Sequence, residues 1–253
     1  MNGMRTMFKQ NVYDYIFSEI EILQHASVLD VGCLNAEALS FMKEKYNLTG
    51  ELIGIDKRGK CFESSEQQSY LGVKLIEMNA SEGLKFPDES FDFIFHKDTL
   101  ECINDIDSHI KELHRILKKG GVIVCVHRDW ESIVCNGSNK KLINKVIYEY
   151  ANFLQSGWMD SCDGWIGRRL YGYFNKTGLF KSEVDLYNDI ETEYVPGMRG
   201  YNYMQDMHDF IQPKGFLTQA EYDELLADLQ NTYKKDEYLF SAPFYIYIGT
   251  KSN

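Results

Sequence analysis

Two hydrophobic periods alternate along this chain. Val12, Tyr15, Ile16 and Ile20 recur at helical spacing and lead into the apolar run Ser27-Val-Leu-Asp-Val-Gly32, whose branched residues favour a strand. Past Gly32, residues 35–46 are good helix formers with Leu39, Met42 and Tyr46 on one stripe, and Glu51-Leu-Ile-Gly-Ile-Asp56 predicts a second strand. Residues 72–78 predict a third strand and residues 90–96 a fourth, separated by the turn chemistry of Phe86-Pro87-Asp88-Glu89. Ile106, Ile110, Leu113 and Leu117 line a helix that stops at Lys118-Lys119-Gly120-Gly121, with cations near its carboxyl end and glycine beyond. Val122-Ile-Val-Cys-Val126 is the fifth strand. Such alternation implies an α/β fold, a parallel sheet covered on both faces with ligands at the carboxyl ends of its strands.

Beyond residue 130 the pattern changes. Residues 141–155 read as a helix, and Asp163-Gly-Trp-Ile-Gly-Arg-Arg-Leu170 opens another that Gly178 ends. Between 183 and 242 the tyrosines Tyr187, Tyr194, Tyr201, Tyr203, Tyr222, Tyr233 and Tyr238 are spread through acidic, weakly patterned sequence. One helix stands out there: Thr218 and Glu221 have capping-box spacing, and Tyr222, Leu225, Leu226 and Leu229 follow on one face. Pro243-Phe-Tyr-Ile-Tyr-Ile-Gly249 alternates like a strand. These readings divide the chain into a core over 1–182, an inserted acidic, Tyr-rich segment over 183–242, and a last core strand over 243–253.

Composition narrows the function classes. The 253 residues carry 27 Lys+Arg against 38 Asp+Glu, a net charge of −11, and 44% are hydrophobic, enough for a buried core. An acidic balance argues against nucleic-acid or anionic-membrane partners, whose affinity rests on Lys and Arg. Most of the excess sits in residues 183–242, with 13 acidic against 4 basic side chains. Nothing at the amino end has signal-peptide character and no run approaches a membrane span, so the expected location is the cytoplasm. Six scattered cysteines read as reduced thiols, and without Cys-x-x-Cys or His-x-x-x-His no metal site is expected. The oligomeric state is left open.

The chemistry concentrates where the first strand ends in Gly32 at a helix start, an arrangement that brings backbone N–H groups close to a ligand. A dinucleotide fingerprint beginning there would need glycine at Leu34 and Glu37, and Glu37 would repel a pyrophosphate. A ligand without phosphates suits the site better. Over roughly residues 25 to 127 the sequence resembles the class I, Rossmann-like S-adenosylmethionine-dependent methyltransferases. Their first motif is similar to Val28-Leu-Asp-Val-Gly-Cys33, their second-strand acid to Asp56, and their adenine-side motif to Asn79-Ala80-Ser81. Phe86 to Asp92, His96 to Glu101 and Arg115 to Gly121 follow in the family's order.

The resemblance implies a seven-stranded, mostly parallel, doubly wound sheet with an antiparallel last strand, an inserted segment covering the acceptor, and S-adenosyl-L-methionine as cofactor. It assigns to the cofactor Tyr13, Asp30, Gly32, Cys33, Asn35, Asp56, Lys57, Asn79, Ala80, Ser81 and His96. The family commonly has further glycines where this chain has Leu34 and Ala36; because leucine resists positive φ, Asn35 is expected to supply the left-handed turn.

Methyl displacement from a sulfonium needs alignment and exclusion of water, and a base only when the nucleophile begins protonated. His127, directly after strand five, and His96 are the catalytic candidates, since imidazole titrates near neutral pH. A hydrogen-bonded loop histidine is the alternative. Arg128, Arg168 and Arg169 are candidates to hold an acidic group of the substrate, with Trp130, Tyr201 and Tyr203 as walls; the alternative for the arginines is pairing within the protein. Asp30 and Asp56 could equally cap turns, and Cys33 and Cys125 could be small buried hydrophobes. The expected reaction is methyl transfer to nitrogen or oxygen of a small molecule. A peptide or protein methyltransferase, a non-catalytic S-adenosylmethionine-binding protein and a nicotinamide-dependent oxidoreductase stay open, the last disfavoured by the absent glycines.

Overall fold

The computed structural model describes residues 12–59, 72–154, 159–210 and 212–252. Four short parallel strands, β1 (Val28–Val31), β2 (Leu52–Asp56), β3 (Val73–Glu77) and β4 (Phe91–Lys97), lie beside a long fifth, β5 (Leu117–Arg128). Two-residue β6 (Val134–Cys135), β7 (Phe180–Glu191) and β8 (Phe240–Lys251) complete one eight-stranded sheet. Its order is β3-β2-β1-β4-β5-β8-β6, with β7 also paired to β8, and β8 runs antiparallel to all three of its neighbours. The mostly parallel α/β sheet of the class I methyltransferase type is thus present, with its order turning outward on both sides of β1 and β4.

Burial explains the strands. Every residue of β1 and β2 is buried, as continuous apolar runs in a doubly covered sheet should be. In β4 the pleat divides the side chains: Ile94 joins one core with α3 (Ile106–Ile116) and α5 (Ile166–Asn175), while Phe93 and Phe95 join the other with Phe17 and α2 (Glu37–Tyr46). The short helix α1 (Val12–Ile16) leads into that second core. Asp105 caps α3 by accepting from Ser108 N–H at 3.0 Å.

The division of the chain at 183 and 243 is corrected. Residues 180–191 belong to the sheet as β7, pairing from Phe180↔Lys251 to Glu191↔Phe240, so β8 begins at Phe240. β7 is an edge strand with most of its length exposed; its apolar residues Phe180, Val184, Leu186 and Ile190 alternate with charged ones, a strand period that sequence reasoning passed over. A third apolar core then joins two stretches distant in sequence: α4 (Lys140–Ala151), through Leu142, Ile143 and Val146, packs with α6 (Arg199–Phe210) and α7 (Gln219–Lys234), through Tyr203, Met204, Leu225 and Leu229. The Thr218–Glu221 capping box starts α7 as the spacing predicts. The cap formed by α4, α6 and α7 therefore includes residues assigned above to the core.

Candidate active site

A cavity of about 490 Å³ opens at the carboxyl ends of the parallel strands. Its floor is the turn after β1. Gly32 sits at φ 76°, and a Cβ there would lie 1.9 Å from Thr99 Oγ1, so the loops after β1 and β4 meet only because this residue is glycine. Gly32 N–H and Cys33 N–H both donate to Ile55 O, at 2.8 and 3.0 Å. Leu34 and Ala36 adopt φ of 46° and 56°, and Asn35 is not among the left-handed residues. The expectation for Asn35 is thus corrected: the chain keeps a glycine-like turn with two non-glycine residues, at about 1 kcal/mol or more each. Backbone bonds hold it, Ala36 N–H to Cys33 O at 2.7 Å and Leu34 N–H to Asp56 Oδ2 at 3.1 Å.

Ten residues expected at the cofactor line this cavity. Asp30, Gly32, Cys33 and Asn35 come from β1 and its turn, Asp56 and Lys57 from the end of β2, Asn79, Ala80 and Ser81 from the turn after β3, and Tyr13 from α1. Asp56 also accepts from Arg58 N–H at 2.9 Å, and a carboxylate with one backbone donor on each oxygen keeps lone pairs for a ligand's hydroxyls. Asn79 Oδ1 accepts from Ser81 N–H at 3.1 Å, fixing the turn. Asp30 is 3% exposed, and burial pushes its carboxyl up to about 7, Lys97 opposing and Asp56 adding to the shift. The Lys57 ammonium lies on Asp160 at 2.7 Å, an ion pair joining the sheet to the segment that follows α4.

Neither histidine ring lines the cavity. His96 shares the pleat face of Ile94, is fully buried, and sets its Nε2 3.1 Å from His109 Nε2; burial drives its pKa well below the ordinary value. His127 shares the face of Ile123 and Cys125, with Nδ1 2.9 Å from Arg128 O, and burial lowers it as well. Both assignments to chemistry at the cavity are corrected: strand parity aims these rings at the α3 and α5 side. Glu101 stands there instead. It lines the cavity at 6% exposure, accepts from Trp130 Nε1–H at 2.6 Å, and lies 4.0 Å from His127 Nε2. Burial, reinforced by Asp98, pushes its carboxyl up to about 8. A carboxyl with that value can take up or release a proton near neutral pH.

The arginines separate. Arg168 forms a two-pronged pair with the fully buried Asp129, and Arg169 Nη1 lies 2.7 Å from Asp163, so both act within the protein and neither lines the cavity. Arg128 and Trp130 do line it, with Tyr150 and Phe153 beside them. Tyr203 belongs to a second chamber of about 390 Å³ that shares Arg128, Trp130 and Tyr150 with the first. Tyr201 lines neither chamber and packs its ring 5.2 Å from Tyr194. Sequence reasoning placed Glu101 only at the end of the His96 to Glu101 motif and gave it no role of its own, although an acid flanked by the apolar Leu100, Cys102 and Ile103 was a readable signal. It also passed over Tyr150, Asp160 and Arg199, whose positions depend on the cap.

A glycine turn at the end of β1, an acid with spare lone pairs at the end of β2 and an asparagine-initiated turn after β3 form one continuous wall that fits a nucleoside carrying an amino-acid chain. With this sheet order they define the class I methyltransferase fold. Residues 29–125 match the methyltransferase domain family. A demethylmenaquinone methyltransferase of Lysinibacillus sphaericus is 33% identical over 110 residues, covering 43% of this chain and 47% of the relative. The chain thus spans about half the length of the curated relatives it matches. Among solved structures, a Bacillus halodurans protein whose methyltransferase assignment is itself an inference superposes with a TM-score of 0.62 at 14% identity, over 96% of this chain and 99% of that one. A Haemonchus contortus phosphoethanolamine N-methyltransferase in complex with S-adenosyl-L-methionine gives 0.56 at 17%, over 95% and 52%.

Proposed function

We propose that this protein transfers a methyl group from S-adenosylmethionine to a nitrogen or oxygen of a small-molecule acceptor, releasing S-adenosylhomocysteine. The observation that carries the reading is the single cavity in which the Gly32 turn, Asp56 and Asn79 meet at one end while Glu101, Trp130 and Tyr150 stand at the other. When bound, the cofactor supplies a methyl already activated by a sulfonium, so the protein's work is alignment and the exclusion of water.

Asp56 suits ribose hydroxyls, and the turn over Asn79, Ala80 and Ser81 suits the flat face of a base. Trp130, Tyr150, Phe153 and Met159 wall the remainder, and Glu101, once it has released the proton that burial makes it hold up to about pH 8, is placed to take the acceptor's proton. The aromatic wall and the Lys57–Asp160 bridge favour a small acceptor over a polypeptide. The matched family segment ends at residue 125, before Arg128, Trp130 and the cap, so the quinone acceptor named for the relatives is not carried over. No helix among the described residues is long and apolar enough to cross a membrane, and the five described cysteines are free thiols, in keeping with a cytoplasmic reaction. The test is S-adenosylhomocysteine release by purified protein given S-adenosylmethionine and either a small-metabolite extract or a peptide library. Release with the extract supports the reading, and release only with peptides overturns the acceptor class.

A further inference from the structure

The second chamber lies between the end of β5 and helix α6, lined among others by Arg128, Tyr150, Arg199, Tyr203 and Asp206. A neighbouring hollow shares Arg128 and Arg199 and adds Lys97 and Phe244. Three cations thereby surround one buried ring: Lys97, Arg128 and Arg199 stand 5.3, 4.5 and 5.6 Å from the centre of Phe244. Among the described residues two carboxylates pair with them, while Glu37, Glu191 and Asp206 also line these two hollows. Asp98 serves Lys97 at 2.6 Å and Arg128 at 3.3 Å, and Asp189 serves Arg199 at 2.6 Å. Both Glu191 oxygens accept backbone N–H groups at the start of α6, from Arg199 at 3.0 Å and Gly200 at 2.8 Å.

Two donors in the chamber have no hydrogen-bond partner among the described residues: Arg128 Nε and the Tyr203 hydroxyl, each buried. Tyr203 is 6% exposed, and burial holds its pKa well above the ordinary value, so its hydroxyl keeps its proton. Like charges fixed this close repel one another, and a guanidinium fork matches the oxygens of a carboxylate or phosphate. Asp206, the chamber's other acid, is exposed.

We propose that this chamber is a subsite for an anionic group, a carboxylate or phosphate, of the methyl acceptor, held by Arg128 and Arg199 with the Tyr203 hydroxyl donating. The acceptor role rests on the reading that the larger cavity holds the cofactor. Arg128 lines both spaces and so ties an anion in the chamber to a reacting atom at the cofactor's end. The acceptor is then anchored at one end through its anion while its nucleophile faces Glu101.

The test uses the full chain saturated with S-adenosylhomocysteine, with inorganic phosphate, acetate and neutral acetamide as probes at constant ionic strength, read as saturable shifts in melting temperature. Wild type should respond to phosphate or acetate and not to acetamide; which anion binds more tightly identifies the group. Arg199→Gln should weaken that response about tenfold or more and Tyr203→Phe by a few fold, with S-adenosylhomocysteine affinity unchanged. Asp189→Asn frees Arg199 without removing a cation and should keep or strengthen anion binding. The proposal is overturned if wild type binds S-adenosylhomocysteine but no anion, if anion binding ignores Arg199→Gln, or if Asp189→Asn loses it as fully as Arg199→Gln does. Failure to bind S-adenosylhomocysteine at all overturns the cofactor reading first, and the chamber's acceptor role with it.

Discussion

Glu101→Gln tests the site through stability as well as through catalysis. Burial raises the Glu101 carboxyl from 4.5 to about 8, so the folded protein holds a proton that the unfolded chain has lost between those values. The sign follows directly: stability from this group is complete below pH 4.5 and is lost as pH climbs through about 8. Each pH unit in that window removes about 1.4 kcal/mol, a total of about 5 kcal/mol. Glutamine keeps an oxygen for Trp130 Nε1–H and does not titrate. Measurement should begin at pH 6, clear of the isoelectric region near 5.1. Between pH 6 and 8.5 the variant should gain roughly 2 to 3 kcal/mol on wild type. Urea unfolding of the cofactor-free protein at pH 6, 7 and 8.5 reads this difference, and Asp30, common to both proteins, cancels. The same substitution should lower turnover about a hundredfold or more while leaving S-adenosylhomocysteine binding intact. A stability gap that stays constant across this pH range would refute the burial argument, and unchanged turnover would refute the proton-acceptor role.

Other expectations follow from the same geometry. Gly32→Ala forces a Cβ against Thr99 and strains a φ of 76°; it should cost about 3 kcal/mol by urea unfolding and weaken cofactor binding, and a neutral result contradicts the loop contact. Arg168→Ala leaves the buried Asp129 without its guanidinium and should destabilise the fold by about 3 kcal/mol, while a calorimetric S-adenosylhomocysteine affinity that fell as well would place Arg168 nearer the site than its partner does. His127→Gln should leave the pH dependence of the rate unchanged, because the ring lies outside the cavity; an abolished neutral-pH limb would return the base to His127.

Much of the core was legible because physical periods map onto it directly. The β1 to β4 runs and the Ile110–Leu113 stripe are apolar in the rhythm of their elements, and topology alone places Asp30, Asp56 and Asn79 at strand ends. β7 was legible but missed: Val184, Leu186 and Ile190 alternate with Glu183, Asp185, Asp189 and Glu191 at the strand period, inside a stretch whose acidic charge drew the reading toward an insertion. The core shared by α4, α6 and α7 depends on packing between segments about 60 residues apart, which no local pattern announces. The histidines failed for a nearer reason. His96 lies two residues after Ile94, and His127 two after Cys125, so parity already assigned both rings to a helix-covered face. For Arg168 and Arg169 the partners Asp129 and Asp163 were visible, but the choice of protein over substrate as partner was tertiary. The turn at Leu34 and Ala36 shows the converse, a backbone shape maintained where local preference opposes it.

The central claim is that one cavity binds S-adenosylmethionine through the ends of β1, β2 and β3. Calorimetric titration of the folded protein with S-adenosylhomocysteine, beside an Asp56→Ala variant checked for retained secondary structure, tests it most directly. The account predicts a single saturable site in wild type, weakened about tenfold or more by the substitution. A folded wild type that binds no S-adenosylhomocysteine, or an Asp56→Ala variant that binds it equally well, would contradict it.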